Sequence, residues 1–131
     1  MVKMIVLKDR EEWLQHRNRI GGSDAAAIVN MNPYRSNMEL WQIKTGQLEQ
    51  EDISDKPYVK YGIEAEPYLR ALFQLNHPQY EMHYEENNMF LNDKYPFGHA
   101  SLDGWLVDAD GRKGVWECKT TNIMQSMQKE K

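Results

Sequence analysis

Apolar residues recur at helical spacing through the first 76 residues of the chain. Four helices are predicted there, over residues 9–17, 24–30, 37–45 and 55–76. Their predicted capping residues are Asp9, Ser23, Ser36 and Asp55. Pro67 lies inside the last of these helices and removes a backbone donor, so we expect a kink or a break near Glu66.

The second half of the chain changes to short apolar stretches separated by turn residues. Strands are predicted over residues 80–84, 89–92, 97–101, 103–107 and 114–119. Residues 108–113 form a hairpin-type turn between the last two strands. A final helix is expected over residues 121–131. Helices followed by strands and a helix predict an α+β or α/β layer fold with one small sheet.

Composition narrows the class of protein. The chain has 131 residues, enough for about one domain, and its 14 aromatic residues (four Trp, seven Tyr and three Phe) argue against disorder. We expect no membrane span and no secretion signal, since the apolar runs are short. A single cysteine, Cys118, suits a reducing cytoplasm. The formal net charge of -4 does not indicate a nucleic-acid binder, but carboxylates that hold a metal would also lower it.

Three residues of the second half are suited to metal chemistry. Alternation along the predicted last strand places Glu117 and Lys119 on one face, and the hairpin brings Asp103 beside that face. Two carboxylates on adjacent strands can hold a hard divalent cation, and a lysine can orient or deprotonate an attacking water. The alternative is a cross-strand salt bridge on a solvated sheet face, which the spacing alone favours.

The long predicted helix carries two carboxylates, Glu64 and Glu66. Residues two apart point to different sides of a helix, so only one of the pair can face inward. Taken alone, the segment is interpreted as a solvated acidic helix face. The alternative is a buried glutamate beside a metal.

A third cluster lies in the corner after the first helix. Arg17 and Arg19 can donate paired hydrogen bonds to a phosphate. Gly21 and Gly22 permit close approach, and Ser23 adds a hydroxyl at a predicted helix N-terminus. The alternative is an ordinary helix–loop–helix corner with exposed arginines.

These clusters, in this order, resemble the YqaJ-like viral recombinase family, the lambda-exonuclease-type alkaline nucleases of the PD-(D/E)xK superfamily. The matching residues are Trp13 with Arg17, Ile20-Gly21-Gly22-Ser23-Asp24, Gly62 with Glu66-Pro67, Asp103-Gly104, and Glu117-Cys118-Lys119. Each piece is weak alone, but together they are specific and extend over residues 10–122. The resemblance implies a restriction-endonuclease-like core, with a small mixed sheet flanked by helices, in a single domain over residues 1–131.

Residue by residue, the resemblance implies a role for each site residue. The implied catalytic residues are Lys119, which would position the attacking water, and Glu117, Asp103 and Glu66. The implied ligands of Mg²⁺, for which Mn²⁺ can substitute, are Asp103, Glu117, Glu66 and the backbone carbonyl of Cys118. The implied contacts to a 5′-phosphate or a nearby backbone phosphate are Arg17, Ser23 and Arg19. Glu64 would lie outside the site.

The activity that the resemblance implies is 5′→3′ digestion of double-stranded DNA ends in recombination. The products would pass to a single-strand-annealing protein, in the cytoplasm of a bacterial host of a phage or prophage. The chain departs from the family in two ways: Leu102 stands where the superfamily often has proline, and the chain ends soon after Lys119. Three interpretations of the short C-terminus stay open: a truncated product, the first half of a split gene, or a short relative that is stable only as a homo-oligomer.

Two hypotheses remain open on the sequence. The first is a metal-dependent DNA nuclease, which the intact set of Asp103, Glu117 and Lys119 favours. The second is a non-catalytic, truncated relative that binds DNA ends, which the short C-terminus favours.

Overall fold

Residues 1–121 are described by the computed structural model, and they form two compact units. Unit 1 comprises residues 1–51 and 85–102, and unit 2 comprises residues 52–84 and the chain from residue 103 onward. Within the described range, no helix has the length and apolar character needed to cross a bilayer. The final helix predicted over residues 121–131 lies outside the described residues from residue 122 on. The assignment of one domain to residues 1–131 stays a prediction.

The fold combines helices with two small antiparallel sheets. The strands are β1 (Val2–Val6), β2 (Glu81–His83), β3 (Asn88–Asn92), β4 (Gly104–Val107) and β5 (Lys113–Trp116). The helices are α1 (Arg10–Gln15), α2 (Ala25–Ile28), α3 (Asn37–Lys44) and α4 (Pro57–Asn76). This is an α+β arrangement. The prediction of one mixed sheet is wrong for residues 1–121, because these five strands form two separate sheets in which every pairing is antiparallel.

Unit 1 is built on the pairing of β1 with β3, in which Val2 lies opposite Asn92. The sequence analysis did not predict β1. Met89 of β3 is completely buried in the core of this unit. The side chain of Asn88 accepts a hydrogen bond from the Leu102 N–H and donates one to the Leu102 carbonyl, both at 2.8 Å. This amide therefore fixes the last residue of the unit.

Two helices of unit 1 begin with the predicted capping residues. At the start of α1, Asp9 accepts a hydrogen bond from the Glu12 N–H at 2.8 Å. At the start of α3, Ser36 accepts one from the Glu39 N–H at 3.2 Å. Each bond satisfies a backbone donor that the helix itself leaves without a partner.

The predicted helix over residues 24–30 is shorter than expected. It consists of a 3₁₀ turn at Gly22–Asp24 followed by the four residues of α2. Ser23 is not its N-cap. The chain enters the turn from Gly21, whose N–H donates to the Asp24 carboxylate at 2.9 Å.

Unit 2 combines α4 with the three-stranded sheet, whose order is β2-β4-β5. Helix α4 continues through Pro67, so the predicted break there is wrong. Its first residue is Pro57, which is tolerated because the first N–H of a helix has no intrahelical partner. Lys56, rather than Asp55, occupies the N-cap position.

Candidate functional site

The Asp-Gly pair at the start of β4 occupies a crowded place in unit 2. A Cβ on Gly104 would lie 2.8 Å from the Met82 sulfur and 3.3 Å from the His83 carbonyl oxygen. Any larger residue here would have to displace the Met82 side chain and press on the backbone of β2, so glycine suits this position. Gly104 also lies opposite Trp116, the last residue of β5, so Asp103 and Glu117 flank the same end of this strand pair.

Asp103 is fixed to the chain that leaves β5. Its Oδ2 accepts a hydrogen bond from the Cys118 N–H at 2.9 Å. This contact joins the first acidic residue of the candidate site to the Glu117-Cys118-Lys119 segment. That segment follows the strand instead of lying in it, because β5 ends at Trp116.

Glu66 also reaches Asp103, through an arginine that the sequence analysis missed. Arg70 lies one turn further along α4, and its Nη1 donates to the Glu66 carboxylate at 2.5 Å and to the Asp103 carbonyl at 3.0 Å. The Glu66 and Arg70 side chains are 23% and 13% exposed. Glu66 is therefore held at the start of β4 rather than in open solvent.

Glu64 lies on the solvated face of the same helix. Its side chain is 67% exposed, and its carboxylate lies 4.0 Å from the Lys60 ammonium. The two glutamates thus take different sides of α4, as helical geometry requires. A Cβ on Gly62 would lie 3.1 Å from the Thr120 hydroxyl, so this position faces the chain just after Lys119.

Glu117 and Lys119 form an exposed ion pair. The Lys119 Nζ lies 2.9 Å from the Glu117 carboxylate, and their side chains are 81% and 65% exposed, respectively. The hydrogen bond to Glu117 raises the pKa of Lys119 above its ordinary value, so the group stays an ammonium at neutral pH. An exposed pair of this kind adds little to stability, about 0–1 kcal/mol in general, and either side chain can turn to a ligand.

The Cys118 thiol lies near two carboxylates of the candidate site. Burial raises the pKa of the Cys118 thiol, and the negative charges of Glu66 and Asp103 raise it further. The thiol is therefore neutral and is no candidate nucleophile at neutral pH.

The oxygen donors in unit 2 suit a hard divalent cation, but they do not yet surround one point. No group of three His, Cys, Asp or Glu side chains within residues 1–121 is close enough to hold a metal ion. Glu66 and Asp103 are both tied down by hydrogen bonds, whereas the Glu117 carboxylate is turned to Lys119. In this arrangement Glu117 is paired with Lys119 and does not join Glu66 and Asp103 in a three-carboxylate group.

The predicted phosphate contacts lie in unit 1. The guanidinium carbon of Arg17 lies over the Trp13 ring, 4.7 Å from its centre, and Nη2 donates to the Ser23 hydroxyl at 3.3 Å. Burial lowers the pKa of Arg17 from its very high ordinary value. The Arg17 Nε is buried and has no hydrogen-bond partner in the part of the chain described. Arg17 and Ser23 are thus brought together as predicted.

Arg19 takes a different place from Arg17. Its Nε donates to the Pro96 carbonyl at 3.0 Å, so one of its N–H donors is already bound to the loop before residue 97. The helix N-terminus expected to support a phosphate is a one-turn 3₁₀ segment. Because the Gly21 N–H already donates to Asp24, the glycines offer less to an anion than the sequence predicted.

Lys44, which the sequence analysis did not assign to this corner, balances the charge of Asp24. Lys44 donates to the Arg17 carbonyl at 2.7 Å and forms an ion pair with buried Asp24 at 2.9 Å. Burial alone would raise the pKa of Asp24, but the Gly21 N–H and Lys44 outweigh it and lower that pKa. Asp24 therefore neutralises Lys44 and does not stand free to repel an anion.

His99, in the loop after β3, lies against Gly21 in this corner. A Cβ on Gly21 would lie 2.8 Å from the His99 ring, so the glycine makes room for the imidazole. Burial lowers the pKa of His99, and the nearby charges of Lys44 and Arg17 lower it further. No spacing pattern in the sequence linked His99 or Lys44 to Arg17, because the three come from separate segments.

Residues 12–131 match the family described as the YqaJ-like viral recombinase domain. The chain is also 33% identical over 115 residues to the uncharacterized protein YqaJ of Bacillus subtilis (strain 168). That alignment covers 86% of this chain and 34% of the relative, so the chain spans about a third of the relative's length. No solved structure matches the chain significantly.

Proposed function

Because this chain belongs to the family of YqaJ-like viral recombinase domains, we propose that it is a metal-dependent nuclease that digests double-stranded DNA from its ends. The observation that supports the proposal most is the double attachment of Asp103. Its carboxylate holds the Cys118 N–H, and its carbonyl accepts from the arginine that holds Glu66. An aspartate, a helix glutamate and the Glu-x-Lys segment are thereby gathered at one end of β4 and β5.

In this proposal the oxygen ligands of unit 2 hold Mg²⁺, or Mn²⁺ in its place. They are Asp103, Glu117, Glu66 and the backbone carbonyl of Cys118. A bound divalent cation lowers the pKa of a coordinated water and polarises a phosphoryl oxygen. The exposure of Glu117 leaves it able to turn from Lys119 to the cation.

Lys119 acts in this proposal as a cation that donates hydrogen bonds. Its raised pKa keeps the ammonium charged, so it orients the attacking water or a phosphate oxygen and does not remove a proton in this state. When Glu117 turns away, Lys119 gains free donors at the place where the scissile phosphate would lie. The exposed ion pair is thus interpreted as the resting arrangement of two catalytic side chains.

Arg17 and Ser23 are proposed to bind the terminal 5′-phosphate, with Arg19 beside them. The buried Arg17 Nε lacks a partner among residues 1–121, and a phosphate oxygen would supply one. The Trp13 ring holds the guanidinium plane, which reduces the entropy lost on binding. Neutralisation of Asp24 by Lys44 removes the nearest opposing charge.

The finer features implied by the resemblance belong to the same proposal. They are a restriction-endonuclease-like core, 5′→3′ polarity, a single-strand-annealing partner, homo-oligomer formation, and a phage or prophage origin with action in the bacterial cytoplasm. The matched relative is bacterial, and the matched family is described as viral. Both facts suit a gene that moves between phage and host.

The direct test is digestion of linear duplex DNA that carries either 5′-phosphate or 5′-hydroxyl ends. We expect digestion with Mg²⁺ or Mn²⁺, none with EDTA, and a faster rate on phosphorylated ends. Arg17→Ala should reduce the rate mainly on phosphorylated ends, because an arginine recognises a dianion far better than a hydroxyl. Asp103→Asn, purified in parallel, controls for contaminating nucleases.

The alternative function is DNA-end binding without catalysis. One observation favours it. In the part of the chain described, no three His, Cys, Asp or Glu side chains are close enough together to hold one metal ion. A protein that binds phosphorylated ends but leaves them intact with Mg²⁺ and Mn²⁺ would establish this alternative. A loss equal on both kinds of end in Arg17→Ala would place end recognition elsewhere.

A further inference from the structure

Arg70 joins two parts of unit 2 through a single nitrogen. Its Nη1 donates to the Glu66 carboxylate on α4 and to the Asp103 carbonyl before β4. The two acceptors lie 37 positions apart in the sequence, yet both are within hydrogen-bond distance of one atom. The Glu66 carboxylate therefore cannot swing along the helix face without losing this bond.

The guanidinium group also contacts an aromatic ring. Its central carbon lies 3.6 Å from the centre of the Tyr84 ring, well within the range of a cation–π contact. Only a planar group can stack on a ring and direct its edge at two oxygen acceptors. An ordinary helical salt bridge, such as that of Lys60 with Glu64, has neither the ring nor the second acceptor.

We infer that Arg70 is a positioning residue, which holds the Glu66 carboxylate beside Asp103 so that both can serve one cation. The inference rests on the proposed function, since it concerns the cation site of that function. Arg70 does not touch the DNA or the cation in this inference and acts through Glu66. Its positive charge also offsets the repulsion between two carboxylates that are brought together.

The test replaces Arg70 by lysine, which keeps the charge and removes the planar fork. Because the charge of the side chain is unchanged, any change in Mn²⁺ affinity reports on the position of the Glu66 carboxylate and not on the electrostatic field at the cation. We expect Arg70→Lys to weaken Mn²⁺ binding by about tenfold or more, the range typical for outer residues that orient metal ligands. Calorimetric titration of the full chain with Mn²⁺ measures this without any need for activity. In DNA digestion, kcat should fall while KM stays within about twofold.

The matched control is Arg112→Lys. Arg112 also pairs with a carboxylate four residues earlier, Asp108, and lies in the same unit. We expect no change in Mn²⁺ affinity for this variant, since its partner lies in the turn between β4 and β5.

A double-mutant cycle separates positioning from a general effect on folding. If Arg70 acts through Glu66, then Arg70→Lys should change Mn²⁺ affinity by less than about twofold in a Glu66→Gln background. Additive losses would overturn the inference. Should Arg70→Lys fail to fold, Tyr84→Leu decides the matter, because it keeps Arg70 with both of its acceptors and removes the aromatic ring together with its hydroxyl; we expect weaker Mn²⁺ binding there too.

The outcomes distinguish this inference from the proposed function. A parent protein that binds Mn²⁺ but cuts no DNA contradicts the nuclease proposal. In that case the double-mutant cycle on Mn²⁺ affinity still tests whether Arg70 positions Glu66. Unchanged affinity in Arg70→Lys, or a parent that binds no Mn²⁺ at all, overturns the inference.

Discussion

Asp103 serves both the fold and the proposed cation through one carboxylate. Its Oδ2 accepts the Cys118 N–H and so ties the start of β4 to the chain after β5. A backbone donor that loses its only acceptor costs about 1–3 kcal/mol when it is shielded from water. The role in folding and the role in binding can nevertheless be separated, because they need different properties of the side chain.

Asp103→Asn should abolish cation binding and leave stability almost unchanged. The asparagine carbonyl oxygen can still accept from Cys118, but the negative charge that attracts the cation is gone. Titration with Mn²⁺ and a melting curve in EDTA measure the two effects separately. Asp103→Ala is the comparison, and it should lower the free energy of unfolding by about 1–3 kcal/mol. An asparagine variant that binds Mn²⁺ as the parent does would remove Asp103 from the ligand set.

Lys119→Ala should abolish DNA cleavage and leave the binding of DNA and Mn²⁺ largely intact. A group that orients the attacking water acts mainly in the transition state, so its loss lowers kcat. The side chain is 81% exposed, so stability should hardly change. Single-turnover digestion together with a DNA-binding titration measures this. Lys60→Ala, which removes an exposed lysine from the pair with Glu64, is the control. Cleavage at the parent's rate would reduce Lys119 to a salt-bridge partner of Glu117.

The residues of the candidate site were predictable to different degrees. The acidic residues and Lys119 stand out by type and spacing, and the structure gathers Glu66, Asp103 and the Glu-x-Lys segment in unit 2. Whether they act as ligands stays a prediction. Arg70 offered only a local hint, its position four residues after Glu66, because its bond to the Asp103 carbonyl joins residues 33 positions apart in the sequence.

At the scale of elements, helix α4 tolerates a proline in its interior. Pro67 has no N–H, so the Ile63 carbonyl receives no bond from it, yet the helix continues from Pro57 to Asn76. The energetic cost must be offset by the contacts of residues on either side, such as those of Glu66 and Arg70. The missing backbone donor of Pro67 predicted a kink or a break near Glu66, and that expectation took no account of such contacts.

Pro67→Ala should stabilise the protein by about 1–3 kcal/mol. The substitution restores one helical hydrogen bond and removes a steric clash. Part of this stabilisation is lost, because alanine gives the unfolded chain more conformational freedom than proline does. Urea unfolding of the full chain measures it. Pro57→Ala is the matched control and should bring no gain, because Pro57 stands at the first helical position. Equal stability changes in the two variants would show that Pro67 causes no strain.

The elements that the sequence predicted correctly depend on neighbouring residues. Asp9 and Ser36 cap helices whose first turns lie beside them, so short-range pattern was sufficient. Strand β1 was missed because its partner, β3, lies far along the chain. Ser23 is not a cap because the chain already turns over Gly22–Asp24, so Ser23 lies inside the 3₁₀ turn and Asp24 precedes α2.

At the scale of the whole molecule, the chain passes between its two units three times. Each unit is therefore made of two separate segments, and no single cut of the chain separates one whole unit from the other. Since the units share the chain in this way, we expect them to unfold together, as a single domain does.

The four tryptophans provide a test, because two lie in each unit. Replacing Trp105 and Trp116 by phenylalanine leaves fluorescence that reports on unit 1, and replacing Trp13 and Trp41 leaves fluorescence that reports on unit 2. Within each variant, we expect the fluorescence transition in urea to coincide with that of far-ultraviolet circular dichroism. Separate midpoints within one variant would mean that the chain holds two domains.

Strand β1 cannot pair with β3 until most of the chain has been synthesised. Val6 lies opposite Asn88, so residues 7–87 must all be made before the first strand can find its partner. At typical rates of synthesis this wait lasts about 4–16 s. During that time β1, with Val2, Met4 and Val6, presents an open strand edge to any passing chain. A nascent product that stops before Asn88 would keep that edge open and would be a natural substrate for chaperones.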